Sequence, residues 1–394
     1  MPGPLDGVKV VDLTTTFMGP YCTLLLAQMG AAVVKVEAPS GDVLRSVGEG
    51  RSASMGPIFV NANRGKRSVV LDLKEPEAQE ALLRLAEDCD VFVHNMRPSA
   101  AGRLRVDAAS VLGRNPSLIH CTFRGFGDGP YADHAAYDDV VQAVSGVAAT
   151  QGRDGEPEYV VTPIADKSVG LAGLAAVLAA LYRRARSGGG EAITVPMFEF
   201  MVSYMLVEQQ GGLVYEPPVG PSGYARTASP QRRPYPTKDG HVAVMVYTDA
   251  QWMRFFDLAG RADLADDPRF ASIGSRTRHI DELYGLLADA LAERTTEEWL
   301  RLLGGAGIPV MPIRSIDGLF EDEHLLSTAF FEHVDHPTEG ALRQSRFPIA
   351  FERGAGDPPP TPRLGQHTRE VLAEHGFSAG EIDRLAAPDQ GRAP

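Results

Sequence analysis

The order in which β-like and helical runs follow one another along the N-terminal part of this chain narrows its fold more than any other feature. Residues 8–13 (VKVVDL) and 32–37 (AVVKVE) are rich in β-branched side chains and bracket a helical stretch at 20–29, a βαβ unit. The pattern returns with a strand expected at 68–73, a helix opened by Pro76 and carrying Leu82, Leu83 and Leu85, and a strand at 90–94. Proline suits a first helical turn, where its missing N–H leaves nothing unsatisfied. A helix near 107–113 and a strand at 118–122 extend the series. Strands joined through helices lie parallel, so the expectation is an α/β fold on a doubly wound sheet.

Further along, residues 166–186 are rich in Ala and Leu and stop at Gly188-Gly189-Gly190, the pattern of a long helix with a glycine end; a strand follows at 192–195. Between 211 and 237 the composition shifts to Pro, Gly, Ser and Arg, with Pro217, Pro218, Pro221 and Pro234, which reads as an extended connector. The expected organisation is a large domain begun by residues 1–210, a linker at 211–237, a smaller α+β domain at 238–325, and a return linker with the rest of the large domain at 326–394. The small domain opens with a strand at 241–247 and continues with helices around 252–258, 280–293 and 296–303. After Pro358-Pro359-Pro360 a short helix is expected at 368–375.

Composition then removes whole classes of function. A formal net charge of −13 argues against a nucleic-acid surface, because phosphate backbones are bound through a basic face. An anionic ligand must therefore be held locally. The apolar run 169–182 falls short of the roughly 20 residues that span a bilayer, and residues 1–10 lack a signal-peptide core, so the expectation is a cytoplasmic protein with no membrane partner. Cys22, Cys89 and Cys121 are widely spaced, which points to buried reduced thiols rather than a disulfide framework or a zinc site. The histidines form no HExxH and no GxSxG is present, so no metal site and no serine hydrolase is expected; His134 and His241 stand isolated.

Several segments carry candidate chemistry. The turn after the first strand reads Thr14-Thr15-Thr16-Phe17-Met18-Gly19-Pro20 and lacks GxGxxG, against a nicotinamide cofactor, yet it still opens a helix whose free N–H groups can meet a phosphate or thioester oxygen. The basic stretch from Asn61 to Ser68, with Lys74 beyond it, is either a phosphate cradle or a solvated turn. Asn95-Met96-Arg97-Pro98 lies where a parallel strand ends, the edge at which open α/β sheets bind ligands. Asp166 stands directly before the apolar helix as an N-cap, and the same position favours an ionised, nucleophilic carboxylate. Gly170 and Gly173 bring the helix backbone close to either a ligand or a neighbouring helix.

Taken in order, these segments resemble the family III coenzyme A transferases, the group that includes formyl-CoA transferase, carnitine CoA-transferase and the α-methylacyl-CoA racemases. The resemblance runs along nearly the whole chain: residues 4–13, 30–37, 63–68, 71–74 and 95–98, then Gly125-Phe126-Gly127, Tyr137-Asp138, 142–146, Ala165-Asp166 with Gly170, Gly307-Ile308-Pro309 and 364–368. It implies that Asp166 is the nucleophile, attacking a donor acyl-CoA to give a mixed anhydride and then a β-aspartyl-CoA thioester that the acceptor acid reopens. It implies coenzyme A and acyl-CoA as substrates, with no permanently bound cofactor. It also implies a Rossmann-like large domain built from both termini and an interlocked homodimer.

Carried over residue by residue, Leu71 and Lys74 match an adenosine-side contact pair, Asn95, Met96 and Arg97 the next cluster, and Arg103 a phosphate contact. Phe17 and Met18 match positions lining the thioester, and Tyr137 and Asp138 adjoin the catalytic aspartate. Two cations of the family pattern are replaced, by Ala38 and by about Ala135, and no tetraglycine loop is visible between Gly223 and Trp252. Racemases of this group use a histidine with the aspartate across the α-carbon. That position is Tyr137 here, a phenol with an ordinary pKa of about 10, which favours transfer over racemisation. A non-catalytic acyl-CoA-binding protein is the third reading, against which Asp166 argues.

Overall fold

In the computed structural model, which describes residues 2–152 and 155–386, the chain divides into two compact units. The first takes its chain from before Gly152, from Pro157–Tyr204 and from Ala329 onward; the second comprises Met205–Thr328 with residues 155–156.

The first unit is built on six parallel strands: β1 (Lys9–Leu13), β2 (Ala32–Glu37), β3 (Lys66–Val70), β4 (Val91–His94), β5 (Ile119–Arg124) and β6 (Glu191–Pro196), in the order β3-β2-β1-β4-β5-β6. Val10 faces Val33 on one side and Val91 on the other, so the central strands read as continuous apolar runs buried on both faces. The order reverses between β1 and β4, and at such a switch the carboxyl ends of the strands open a crevice. The helix Pro76–Glu87 buries Ala78, Leu82, Leu85 and Ala86 against Val11, Val69 and Phe92, and the C-terminal segment adds Val371, Leu372 and Phe377 to the same core.

β3 begins two residues earlier than expected and takes in the basic stretch. Lys66 and Arg67 pair with Val33 and Val34 of β2, so this stretch is neither a solvated turn nor a phosphate cradle. Lys66 is fully buried: its Nζ donates to Asp12 (3.1 Å), Asn63 Oδ1 (2.8 Å), Thr23 Oγ1 (2.7 Å) and the Pro20 carbonyl (3.0 Å). Lys35 Nζ reaches the Thr14 carbonyl at 2.7 Å and Asp42 at 3.0 Å, and Glu37 takes two bonds from Arg45 and one from Ser68. Burial works against the charge on Asp12, but Lys66 and Lys35 hold its carboxyl down at about 2. Arg64 and Arg67 are likewise spent on Glu332 and on Glu370 with Glu374.

The long helix runs over Ile164–Ser187 and ends at Gly188 (φ +71°). It is longer than the apolar run alone because charged residues at both ends are helical too. By length and composition it could cross a membrane. In the structure it lies along the helix Met18–Gln28 and buries one face, Ala165, Val169, Gly170, Gly173, Val177 and Ala180. Cys22, Cys89 and Cys121 are buried free thiols.

The second unit has its own core, centred on Trp252, Phe255, Phe256, Leu283, Leu287 and Trp299. A small antiparallel sheet, β7 (Tyr235–Pro236), β8 (His241–Val244) and β9 (Val310–Pro312), packs with the helices Asp249–Leu258, Ile280–Leu291 and Thr296–Gly305. Two of these helices open with capping boxes, Thr248 with Gln251 and Thr295 with Glu298. The stretch expected as a bare connector holds a 3-10 turn at Gly211–Val214, a short helix at Ala225–Ala228 and β7. After Thr328 the chain rejoins the first unit, which there holds a hairpin of β10 (Phe331–His336) and β11 (Gly340–Ser345).

Candidate active site

Asp166 occupies the first turn of the helix Ile164–Ser187, but it is not that helix's cap. The cap comes from Asp138: its Oδ1 accepts the backbone N–H of Asp166 at 2.9 Å, while Oδ2 accepts from Gln142 Nε2 at 2.5 Å. Gln142 in turn holds the Val160 N–H at 2.9 Å, fixing the approach to the helix. Asp138 is therefore buried, with both carboxylate oxygens engaged inside the protein. What it does is aim Asp166. The Asp166 carboxylate receives no ion pair or hydrogen bond from any described residue. Burial, and then the negative charges of Asp138 and Asp139, push its pKa up to about 7.

Gly170 and Gly173 meet neighbours, not a ligand. A Cβ on Gly170 would lie 2.7 Å from the Met18 carbonyl oxygen and 3.2 Å from the Tyr21 ring, and one on Gly173 would lie 2.2 Å from the Phe123 ring. This contact, one turn after Asp166, fixes the carboxylate beside the start of the helix Met18–Gln28. Gly170→Ala must push against backbone, so it is expected to cost about 1–3 kcal/mol in urea unfolding and to lower turnover with it.

The turn between β1 and that helix is strained. Thr16 is held at φ +66°, a conformation β-branched residues avoid and one that clusters at functional sites. Phe17 is half-buried at the N-cap, and Met18 is buried, so it presents backbone rather than side chain to the crevice. Across the switch point Asn95 clamps the turn in both directions: Oδ1 accepts the Thr15 N–H (3.1 Å) and Nδ2 donates to the Thr15 carbonyl (3.0 Å). Its side chain joins two loops.

Of the other matched residues, Leu71 is 1% exposed within the core, so only its backbone can reach a ligand. Met96 is half-buried on the same core. Lys74 and Arg97 follow β3 and β4 and Arg103 closes the helix Pro98–Arg103; all three are exposed and, among the described residues, unpaired. In a chain where most arginines near carboxylates are paired, three free cations around one sheet edge suit a phosphate-bearing ligand. Tyr137 is 70% exposed at the start of the helix Asp138–Val144, one residue before the Asp138 cap.

A relay beneath this edge has no counterpart in the sequence reading. The Met96 N–H donates to His94 Nδ1 (3.2 Å), so His94 carries its proton on Nε2 and donates it to Thr122 Oγ1 (3.1 Å). The Thr122 hydroxyl then faces His120 Nδ1 (3.4 Å), and His120 Nε2 donates to the Val106 carbonyl (2.9 Å). Burial, with His120 beside it, lowers His94 to about 3, so the chain is neutral and fixes the loop carrying Asn95, Met96 and Arg97. His94 and Thr122 face each other on β4 and β5, with His120 opposite Phe92. That same-face alternation was the available signal.

The structure thus brings an unpaired carboxylate at a helix start beside the turn that leaves the central strand of a parallel α/β sheet. Residues 5–368 match the model of CoA-transferase family III. The chain is 33% identical to a succinyl-CoA:mesaconate CoA-transferase of Haloarcula hispanica, over 98% of this chain and 100% of the relative. It is 31% identical to a formyl-CoA:oxalate CoA-transferase of Afipia carboxidovorans, over 95% and 94%. A crystal structure of a CaiB/BaiF family protein from Brucella suis superposes with a TM-score of 0.80 at 29% identity, covering 95% of this chain and 100% of that one. The chain belongs to CoA-transferase family III and is an enzyme that transfers CoA between an acyl-CoA and a carboxylic acid.

Proposed function

We propose that Asp166 is the covalent carrier of the transfer. Its ionised carboxylate attacks the thioester carbonyl of the donor, forming an acyl-aspartyl anhydride and releasing the CoA thiolate. The thiolate attacks the aspartyl carbonyl of the anhydride, leaving an aspartyl-CoA thioester and the free donor acid. The acceptor carboxylate then attacks that thioester, and the thiolate released returns to the acceptor's acyl carbon, restoring Asp166. Each acyl bond broken is replaced by another, so no external energy source is needed. The observation that carries this reading is the unpaired Asp166 carboxylate held at a helix start by the Asp138 cap.

Lys74, Arg97 and Arg103 serve the phosphates of CoA, Met96 and the backbone of Leu71 its adenosine end, and Phe17, the Met18 backbone and Tyr137 the thioester. CoA is a substrate, and no permanently bound cofactor takes part. The acids named in the relatives, mesaconate and oxalate, carry two carboxylates, which supports a dicarboxylic acid as acceptor here. The strand order supports a Rossmann-like reading of the first unit. Leu171, Ala175, Ala179 and Tyr182 form an exposed apolar stripe on the long helix, the kind of face a second copy covers, and this supports a homodimer. We place the enzyme in the cytoplasm.

Incubation of the protein with succinyl-CoA and a mixture of carboxylic acids should yield new CoA esters by mass spectrometry. Only the ionised carboxylate attacks, and its pKa is raised, so kcat/KM is expected to rise through about pH 7 and level off above it. A profile already flat from pH 5 would contradict this assignment.

A further inference from the structure

Six lysines and arginines are buried among the described residues, and five of them have a carboxylate partner: Lys35 with Asp42, Arg45 with Glu37, Arg64 with Glu332, Lys66 with Asp12 and Arg276 with Asp249. The sixth is Arg226, in the second unit, 4% exposed and without any ion pair. Its Nη2 donates to the Tyr284 hydroxyl at 3.2 Å, the Tyr247 ring lies 4.7 Å from the guanidinium carbon, and Nη1 has no partner. A buried cation without a counter-charge is costly, and no other described lysine or arginine is buried in that way.

Tyr284 also lines a cleft of about 290 Å³, together with Arg232, Arg233, Tyr235, Met245 and Val246. Neither of these arginines is paired with an acid; Arg233 reaches only Gln231 Oε1, at 3.5 Å. Two guanidinium groups therefore line one tyrosine-walled hollow, and a third, Arg226, stands behind the wall on the Tyr284 hydroxyl, in a strongly acidic protein. Guanidinium forks match carboxylates in geometry, and the apolar walls of Met245 and Val246 suit a short carbon chain. The fully hydrated surface of inorganic phosphate has no use for such walls.

We propose that this cleft binds the carboxylate of an organic acid, with Arg232 and Arg233 as the cations that meet it and Arg226 behind the wall, holding the Tyr284 hydroxyl and adding its uncompensated charge. The site needs nothing from Asp166; the transferase reading enters only in the choice of acid to try. Titration calorimetry on the full-length protein with succinate, and separately with inorganic phosphate, tests it. Succinate is expected to bind wild type and Asp166→Ala alike, and Arg226→Met to weaken that binding at least tenfold. The exposed pair Arg232→Gln/Arg233→Gln, which leaves the core untouched, is expected to weaken it too. Succinate binding that is absent, unchanged in the arginine variants, or weaker than phosphate binding at the same residues would overturn the proposal. Because Asp166→Ala is titrated alongside, loss of transfer with retained succinate binding separates this site from the catalytic reading.

Discussion

Asp166→Ala is expected to lose CoA transfer by more than about a thousandfold while gaining stability at pH 8. The first effect follows from chemistry, since no neighbouring group replaces the carboxylate that must become the anhydride. The second follows from its raised pKa. Between its unfolded value near 4 and its folded value of about 7, the folded protein binds the proton that the unfolded chain releases. Stability contributed by that proton is present below pH 4 and is lost as pH rises through 7. At pH 8 the native enzyme carries the full penalty of an ionised, half-buried carboxylate beside Asp138 and Asp139. Removing it should stabilise the fold by about 1–3 kcal/mol after allowance for solvent screening, read as a higher Tm. A variant that lost activity and melted lower would point to a structural carboxylate instead.

The second large effect is expected from Asp12→Ala, which should destabilise the fold by about 3–5 kcal/mol in urea unfolding. Asp12 accepts from the Thr14 N–H (2.8 Å), Thr14 Oγ1 (2.5 Å), Thr23 Oγ1 (2.6 Å) and Lys66 Nζ (3.1 Å), and none of these groups can turn to water. Its loss strands a buried ammonium and releases the turn that leads to Thr16 and Phe17. The double change Asp12→Asn/Lys66→Met keeps an acceptor for Thr14 and removes the buried charge, so it should recover most of the loss. A cost under about 1 kcal/mol for Asp12→Ala would mean that the pair is not what holds the turn.

Which parts of this were readable in the sequence depends on how local their causes are. The central strands announce themselves through runs such as Val33-Val34 and Val91-Phe92-Val93, whose apolar character is set by burial on both faces. Lys66-Arg67 at the start of β3 could not be read that way, because the partner that makes a buried lysine tolerable, Asp12, lies 54 residues earlier. The helix Met197–Gln209 gives no periodic signal, because it is apolar on almost every side (MFEFMVSYMLVEQ) and shows no stripe. Asp166 was readable as a residue opening a helix, whereas its cap lies 28 residues upstream, in Asp138, and no spacing rule links the two. Asn95 was placed at the right edge, but whether its amide meets a ligand or Thr15 depends on two loops meeting across the switch point.

The central claim is that CoA rests on Asp166 between donor and acceptor. Intact-protein and peptide mass spectrometry, after rapid quenching of enzyme with an acyl-CoA donor and no acceptor, tests it most directly. The account predicts an adduct of CoA less water on the peptide containing Asp166, discharged when an acceptor acid is added and absent from Asp166→Ala. Turnover with no such adduct, or deuterium entering the α-carbon of an unchanged acyl-CoA in heavy water, would contradict it.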